Sequence, residues 1–153
     1  MTTIDKVLVV GSDHAGFPLK ADLIALCREE GWKIIDVGSY DPNPVDFPDI
    51  ARAACRHILS GRAAKGLMVC GTGVGASIAA NKVPGIRASI CHDAHCAHQC
   101  VEHDNVNMMC IGAQIVGPWL ARDLLRIFLN AQFDATEDHI RRVAKLDAMD
   151  ASK

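Results

Sequence analysis

A chain of 153 residues has room for one domain with a genuine core and too little for two of ordinary size. Half of its residues are hydrophobic, 22% are charged and only 5% are aromatic, which excludes a disordered chain and a disulfide-stapled one and fits a compact α/β protein. A formal net charge of -2 gives no electrostatic reason for a nucleic-acid or membrane partner, and no apolar run approaches the ~20 residues that cross a bilayer. The opening Met-Thr-Thr-Ile-Asp-Lys lacks signal-peptide anatomy, so the cytoplasm is the expected compartment. Seven cysteines is an odd number, and several fall inside predicted strands or helices, so reduced thiols are expected.

In chain order, Lys6 to Val10 predicts a strand and Leu19 to Glu30 a helix that Gly31 stops. Lys33 to Val37 predicts the second strand. Asp41-Pro42-Asn43-Pro44 reads as a backbone-restricted loop, and Asp49 to Leu59 as a helix ending at Ser60-Gly61. The third strand, Gly66 to Cys70, passes through a glycine loop into a short helix over Ala76 to Lys82. Two further strands, Ala88 to Cys91 and Met108 to Ile111, flank a helix over Ala94 to Glu102, and helices over Trp119 to Ala131 and Thr136 to Met149 close the chain. The last one sets Ile140, Val143, Ala144 and Leu146 among charged residues, an apolar stripe that must pack somewhere. Strands alternating with helices are consecutive βαβ units, and hence a mostly parallel sheet covered on both faces. There is no internal repeat and no low-complexity tract.

The segment Val69-Cys70-Gly71-Thr72-Gly73-Val74-Gly75-Ala76 carries the most chemistry, because it sets one thiol in a glycine loop between a buried strand and a helix start. The first N–H groups of a helix lack internal partners and the peptide dipoles point positive there, which favours a phosphate, a carboxylate or a developing enediolate. Glycine lets the backbone come close to such a ligand. The same field is expected to lower the Cys70 pKa from its free value of about 8.5. The plainer alternative is a tight turn with a buried cysteine. In a doubly wound sheet ligands sit beyond the carboxyl ends of the strands, near the switch in strand order. That rule selects Gly11-Ser12-Asp13-His14-Ala15-Gly16, the Cys70 loop, His92-Asp93 and Gly112-Ala113-Gln114 as one candidate edge.

Taken together, GSDHAGFPLK near the start, CGTGVGASIAANKVPGIRA in the middle, EHDNVN and a histidine–arginine motif near the end resemble the ribose-5-phosphate isomerase B family, which includes the galactose-6-phosphate isomerase subunits. The resemblance spans the whole chain. It implies a Rossmann-like three-layer α/β/α sandwich with a five-stranded parallel sheet, one domain over residues 1–153, and a C-terminal helix over about residues 135–150 packing on a partner subunit. It also implies a homodimer or dimer of dimers with interface active sites, no metal or organic cofactor, and a sugar or sugar phosphate as substrate. Aldose–ketose isomerisation needs a base to move a proton between C1 and C2, donors to hold the enediolate, and an acid–base pair to open the sugar ring. The resemblance makes Cys70 the base, His103 the ring opener and Asp13 a partner near the sugar hydroxyls. The amides of Gly71, Gly73, Val74 and Gly75 with the Thr72 hydroxyl would hold the negative oxygen, each such donor being worth ~2.7–4 kcal/mol in a barrier. His14 is expected near the far end of the substrate, and Asn81, Asp104, Arg141 and Arg142 join the substrate-binding set.

The chain departs from the family pattern at three positions: Asp104 stands where the family has Asn, Gln114 where it has Arg, and Asp138 precedes His139 where it has Arg. A phosphate is normally held by several charge-assisted bonds, each worth on the order of 1.5–3 kcal/mol, so an amide and an acid in place of two cations point toward a different or unphosphorylated sugar. Two other readings compete. Gly71-x-Gly73-x-x-Ala76, with Asp93 further on, also satisfies a dinucleotide-binding fingerprint. Cys91-His92-Asp93-Ala94-His95-Cys96-Ala97-His98-Gln99-Cys100 is rich in zinc-ligand residue types, but lacks paired Cys-x-x-Cys knuckles, and buried cysteines beside exposed histidines explain it better. A silent paralogue that pairs with another subunit is a third possibility, which Cys70, Thr72 and His103 argue against.

Overall fold

The computed structural model describes residues 6–151. Strands β1 (Val7–Ser12), β2 (Lys33–Asp36), β3 (Lys65–Cys70), β4 (Ala88–Ile90) and β5 (Met108–Gly112) alternate with helices α1 (Phe17–Glu29), α2 (Phe47–Leu59), α3 (Val74–Asn81) and α4 (Ala94–Asp104), and α5 (Pro118–Asn130) and α6 (Glu137–Asp150) follow. Every strand pairing is parallel and the order is β2-β1-β3-β5-β4. The Rossmann-like three-layer sandwich expected from the sequence is the fold observed, and each predicted element is present with its ends moved by a few residues.

The two faces of the sheet are filled differently. On one, Leu23 and Leu26 of α1, Val101 of α4 and Leu124, Leu125 and Phe128 of α5 pack with Leu8, Leu67 and Ile111 of the strands. On the other, Ala51, Ala54 and Cys55 of α2 and Ala76 and Ala80 of α3 sit on Val9, Met68 and Met108. Small side chains on that second face let both helices lie close to the sheet, which brings the start of α3 down onto the strand ends. Of the two tryptophans, Trp32 is 9% exposed within the first core and Trp119 is 87% exposed at the start of α5.

Polar groups close the element ends. Lys65 Nζ donates to the carbonyls of Phe128 at 2.8 Å and Ala131 at 3.1 Å, satisfying the orphan acceptors at the end of α5. Burial pushes its pKa down to about 8. The side chain of Asn81, at the end of α3, donates to the Ala88 carbonyl at 2.9 Å and accepts from the Ala88 N–H at 2.8 Å, clamping the first residue of β4. Helix α6 lies against α4 and buries only Val143 of its apolar stripe, while Ile140, Leu146 and Met149 stay exposed.

β1 has β2 on one side and β3 on the other, so the winding reverses between β1 and β3. The loop after β1 runs under β3 so tightly that a Cβ on Gly16 would stand 2.0 Å from the Val69 carbonyl oxygen. Gly16→Ala is therefore expected to cost about 3 kcal/mol of stability, as overpacking against rigid backbone does. A urea midpoint that falls at unchanged slope is the result that checks it.

Candidate active site

At this reversal the two loops are bonded to each other. The Asp13 N–H donates to the Val69 carbonyl at 3.2 Å, and the Asp13 carboxylate accepts from the Gly16 N–H at 2.8 Å and from the Cys70 thiol at 3.2 Å. Both side chains are nearly covered, Asp13 at 5% and Cys70 at 6% exposed. The thiol proton is thus aimed at a fixed acceptor, a contact between Asp13 and Cys70 that sequence reasoning missed.

Beyond Cys70 the chain turns sharply. Gly73, with φ of 82°, takes the left-handed conformation that caps α3, and the Thr72 hydroxyl accepts from the Val74 N–H at 3.2 Å. The loop after β5 lies alongside, its Ala113 and Gln114 N–H groups donating to the Cys70 and Gly71 carbonyls, each at 2.9 Å. A Cβ on Gly112 would stand 2.7 Å from the Thr72 backbone, one on Gly75 2.7 Å from the Phe47 ring, and one on Gly71 3.1 Å from Gln114 Oε1. The glycines therefore let the protein approach itself, and a free face for ligand is only part of their reason.

His14 stands exposed on the same rim, its Nδ1 accepting from the Val45 N–H at 3.2 Å. The segment that carries Val45 is anchored by buried Lys20, which pairs with Asp36 at 2.8 Å and also donates to the Ser39 carbonyl. His92 and Asp93, placed on the candidate edge by the sequence, are committed elsewhere. His92 Nε2 accepts from the Gly112 N–H at 2.8 Å, and burial pushes its pKa down, against an opposing pull from Asp93. Asp93 caps α4 by accepting from the Cys96 N–H at 2.8 Å, and that bond holds its carboxyl below the usual range. An acidic group spent on a helix cap is not free for a nucleotide ribose. Among the described residues, no cluster of three or more His, Cys, Asp or Glu side chains could hold a metal ion.

The remaining candidates lie at the other end of the molecule. Helix α4 runs back from the carboxyl end of β4 toward the amino end of β5, so His103, in its last turn, stands at the rim opposite Cys70. Its ring stacks on His139 of α6, with centroids 4.3 Å apart and planes inclined by 26°, and its Nε2 is 3.8 Å from the Glu102 carboxylate. His139 Nδ1 is 2.8 Å from the Asp134 carbonyl and 3.5 Å from its carboxylate. Asp138 takes both arginines, Arg141 at 2.7 Å and Arg142 at 3.3 Å. Asn81 and Asp104 face a cavity of about 480 Å³ at this same end. One chain therefore gathers Asp13, His14, Cys70, Thr72 and the glycine loop at one rim and His103, Asp104, Arg141 and Arg142 at the other, and it does not bring the thiol to the imidazole. The supporting His139 had no signal in the sequence beyond its place in a motif, because the stack joins two helices distant in the chain.

A family model described as Ribose/Galactose Isomerase matches residues 8–146, from β1 into α6. The chain belongs to the ribose/galactose isomerase family. Within that family it is similar to ribose-5-phosphate isomerase B of Escherichia coli strain K12, 35% identical over 145 residues that cover 95% of this chain and 97% of that protein. It is also similar to D-erythrulose-4-phosphate isomerase 2 of Mycolicibacterium smegmatis, 39% identical over 131 residues covering 83% and 86%. The solved structure of ribose-5-phosphate isomerase B from Clostridium thermocellum superposes with a TM-score of 0.93 at 36% identity, covering 95% of this chain and 98% of that one. The chain is an isomerase of the ribose/galactose type. The dinucleotide reading of the glycine loop gives way to this match.

The neutral His92 has a measurable consequence for this isomerase. Its folded pKa lies below the ordinary value, so near and below about pH 6.5 the unfolded chain binds more protons, and the stability it contributes is present above that pH and lost as the pH falls. His92→Gln keeps an acceptor for Gly112 and removes the titration. It is expected to flatten the decline of Tm between about pH 7 and 5, the residual slope including His57, whose pKa burial also lowers.

Proposed function

We propose that this isomerase interconverts ribose 5-phosphate and ribulose 5-phosphate, or a closely related sugar phosphate, through an enediolate, with Cys70 as the proton-transfer base. The observation that carries the reading is the Cys70 thiol bonded to Asp13 at the start of α3. As the thiolate forms, its proton passes to the Asp13 carboxylate. The sulfur then takes the C2 proton of the aldose and returns it to C1, while the O2 proton moves to O1, and Asp13 finally gives its proton back to the sulfur. Negative charge on the sugar oxygen falls among the first N–H groups of α3 and the Thr72 hydroxyl, where the helix dipole favours it. A proton moves and no electron leaves the sugar, so the chemistry asks for no redox cofactor.

Ring opening needs an acid–base group at the same sugar, and His103 reaches Cys70 only across a subunit boundary. In the homodimer we propose, the His103 rim of one protomer meets the Cys70 rim of its partner, and two-fold symmetry repeats the junction. The exposed stripe Ile140, Leu146 and Met149 of α6 supplies apolar surface for that contact. Cys70→Ala and His103→Ala are each expected to abolish turnover, Cys70→Ala without C2 proton exchange from labelled water. Mixed in equal amounts and allowed to exchange subunits, the two variants should recover about a quarter of wild-type activity, since half of the dimers then hold one intact site of two. An active Cys70→Ala protein rejects the base, and a mixture that exchanges subunits yet stays inactive rejects the shared site.

The second reading, an isomerase of the same family acting on a different or unphosphorylated sugar, is favoured by one feature. Both arginines available to a phosphate are already paired with Asp138, and Gln114 beside the glycine loop adds no charge. An incoming phosphate competes with a carboxylate for the same two guanidinium groups. Asp138→Asn is expected to lower KM for phosphorylated pentoses several-fold with little change in kcat. An unchanged KM, with equal turnover of sugars lacking phosphate, transfers the assignment to the unphosphorylated substrate.

A further inference from the structure

Among the seven cysteines, burial pushes Cys27 up to about 12 and Cys55 up to about 11 and raises Cys110 as well, which leaves these three inert. Cys91 and Cys100 differ from them in geometry. Cys91 follows β4, Cys100 lies in α4 one turn before His103, and their sulfurs are 3.7 Å apart in the core between strand and helix. Cys91 is wholly covered. Cys100 is 8% exposed and forms part of the wall of the cavity of about 480 Å³ bounded by α3, β4, α4 and the end of α6. No third metal-ligating side chain joins the pair among the described residues, so its chemistry is that of two thiols and not of a metal site.

We propose that Cys91 and Cys100 are a modification site, a dithiol that small peroxides entering the cavity convert to a disulfide. The roles within the pair are unequal. Cys100 lines the cavity and meets the peroxide first, its thiol lowered by the hydrogen bond shared with Cys91 and, after the opposing cost of burial, by the Lys65 ammonium, while wholly covered Cys91 is pushed up and reacts second. Cys100 sulfur attacks one oxygen of hydrogen peroxide, the O–O bond breaks, hydroxide leaves, and a sulfenic acid remains. Cys91 sulfur then attacks Cys100 sulfur, the S–O bond breaks, the S–S bond forms, and the Cys91 proton departs with the hydroxyl as water. Two electrons pass from the sulfurs to the peroxide, and one solvent proton turns the first hydroxide into the second water. An S–S bond is about 2.05 Å long, so the sulfurs approach by about 1.7 Å. That closure draws α4 toward β4 and disturbs the turn that presents His103 to His139.

Peptide mapping of the wild-type protein without reductant, after stepwise addition of hydrogen peroxide, tests the site. The expected first product is a chain lighter by two hydrogens, with a cross-link between Cys91 and Cys100, two thiols fewer by titration, and full reversal by dithiothreitol. In Cys91→Ser the same treatment should leave a sulfenic acid on Cys100 that dimedone traps, with Cys91→Ala as the alternative should the serine variant fold poorly. Oxidation that begins at Cys70 or Cys96, or a Cys100 that proceeds to sulfinic acid beside an unreacted Cys91, overturns the proposal. These readouts use no substrate, so they stand or fall apart from the reaction assigned above. Isomerase activity, measured with ribose 5-phosphate, should fall in step with the cross-link and return with dithiothreitol.

Discussion

The hydrogen bond from the Cys70 thiol to Asp13 exists because β1 and β3 are neighbours where the winding of the sheet reverses. Loops leaving two adjacent parallel strands normally diverge onto opposite faces and open a crevice between them. Here backbone hydrogen bonds tie the loops together: Asp13 to Val69 across the reversal, and Ala113 and Gln114 of the loop after β5 to the Cys70 turn. Glycine at positions 16 and 112 is the condition for that closeness, since a methyl group at either would collide with main-chain atoms that cannot yield. The sulfur, the carboxylate and the start of α3 thus have one mutual arrangement, fixed by the sheet and owing little to side-chain mobility. Preorganisation of this kind is what a site needs when it must stabilise charge that appears only in passing.

Much of the fold was readable from residue patterns. Valine-rich runs followed by helical stripes and Gly31 or Ser60-Gly61 stops mark the βαβ units directly, and the observed ends moved mainly where proline opened a helix earlier, as Pro18 does in α1 and Pro48 in α2. The rim carrying Cys70, Thr72 and His14 followed from topology, because the carboxyl ends of parallel strands must share one side. What a sequence does not show is which polar groups the backbone claims first. His92 and Asp93 occupy the right edge and have titratable side chains, yet a neighbouring N–H at Gly112 and another at Cys96 take their lone pairs. The Asp13–Cys70 bond and the His103–His139 stack were equally hidden, since each joins segments far apart in the chain and depends on ångström-scale placement.

Charge is arranged differently at the two rims. At Cys70 the neighbouring carboxylate, Asp13, is covered, and the oriented peptides at the start of α3 supply positive potential. Around His103 the groups are half-buried to exposed and mixed in charge, with Glu102, Asp134 and Asp138 each facing a histidine or an arginine. The first rim sets a covered thiol and carboxylate beneath an exposed helix start. The second is a wet surface whose ion pairs exchange readily with solvent or with an incoming group.

The two indoles occupy opposite surroundings, Trp32 within the α1–β2 core and Trp119 in water at the head of α5. Intrinsic fluorescence from the native chain is consequently the sum of one shielded emitter and one hydrated emitter, with spectra displaced from each other. Loss of the core red-shifts only the former, whereas any surface that settles over α5 blue-shifts only the latter. A single emission scan thereby separates events inside the domain from events upon it.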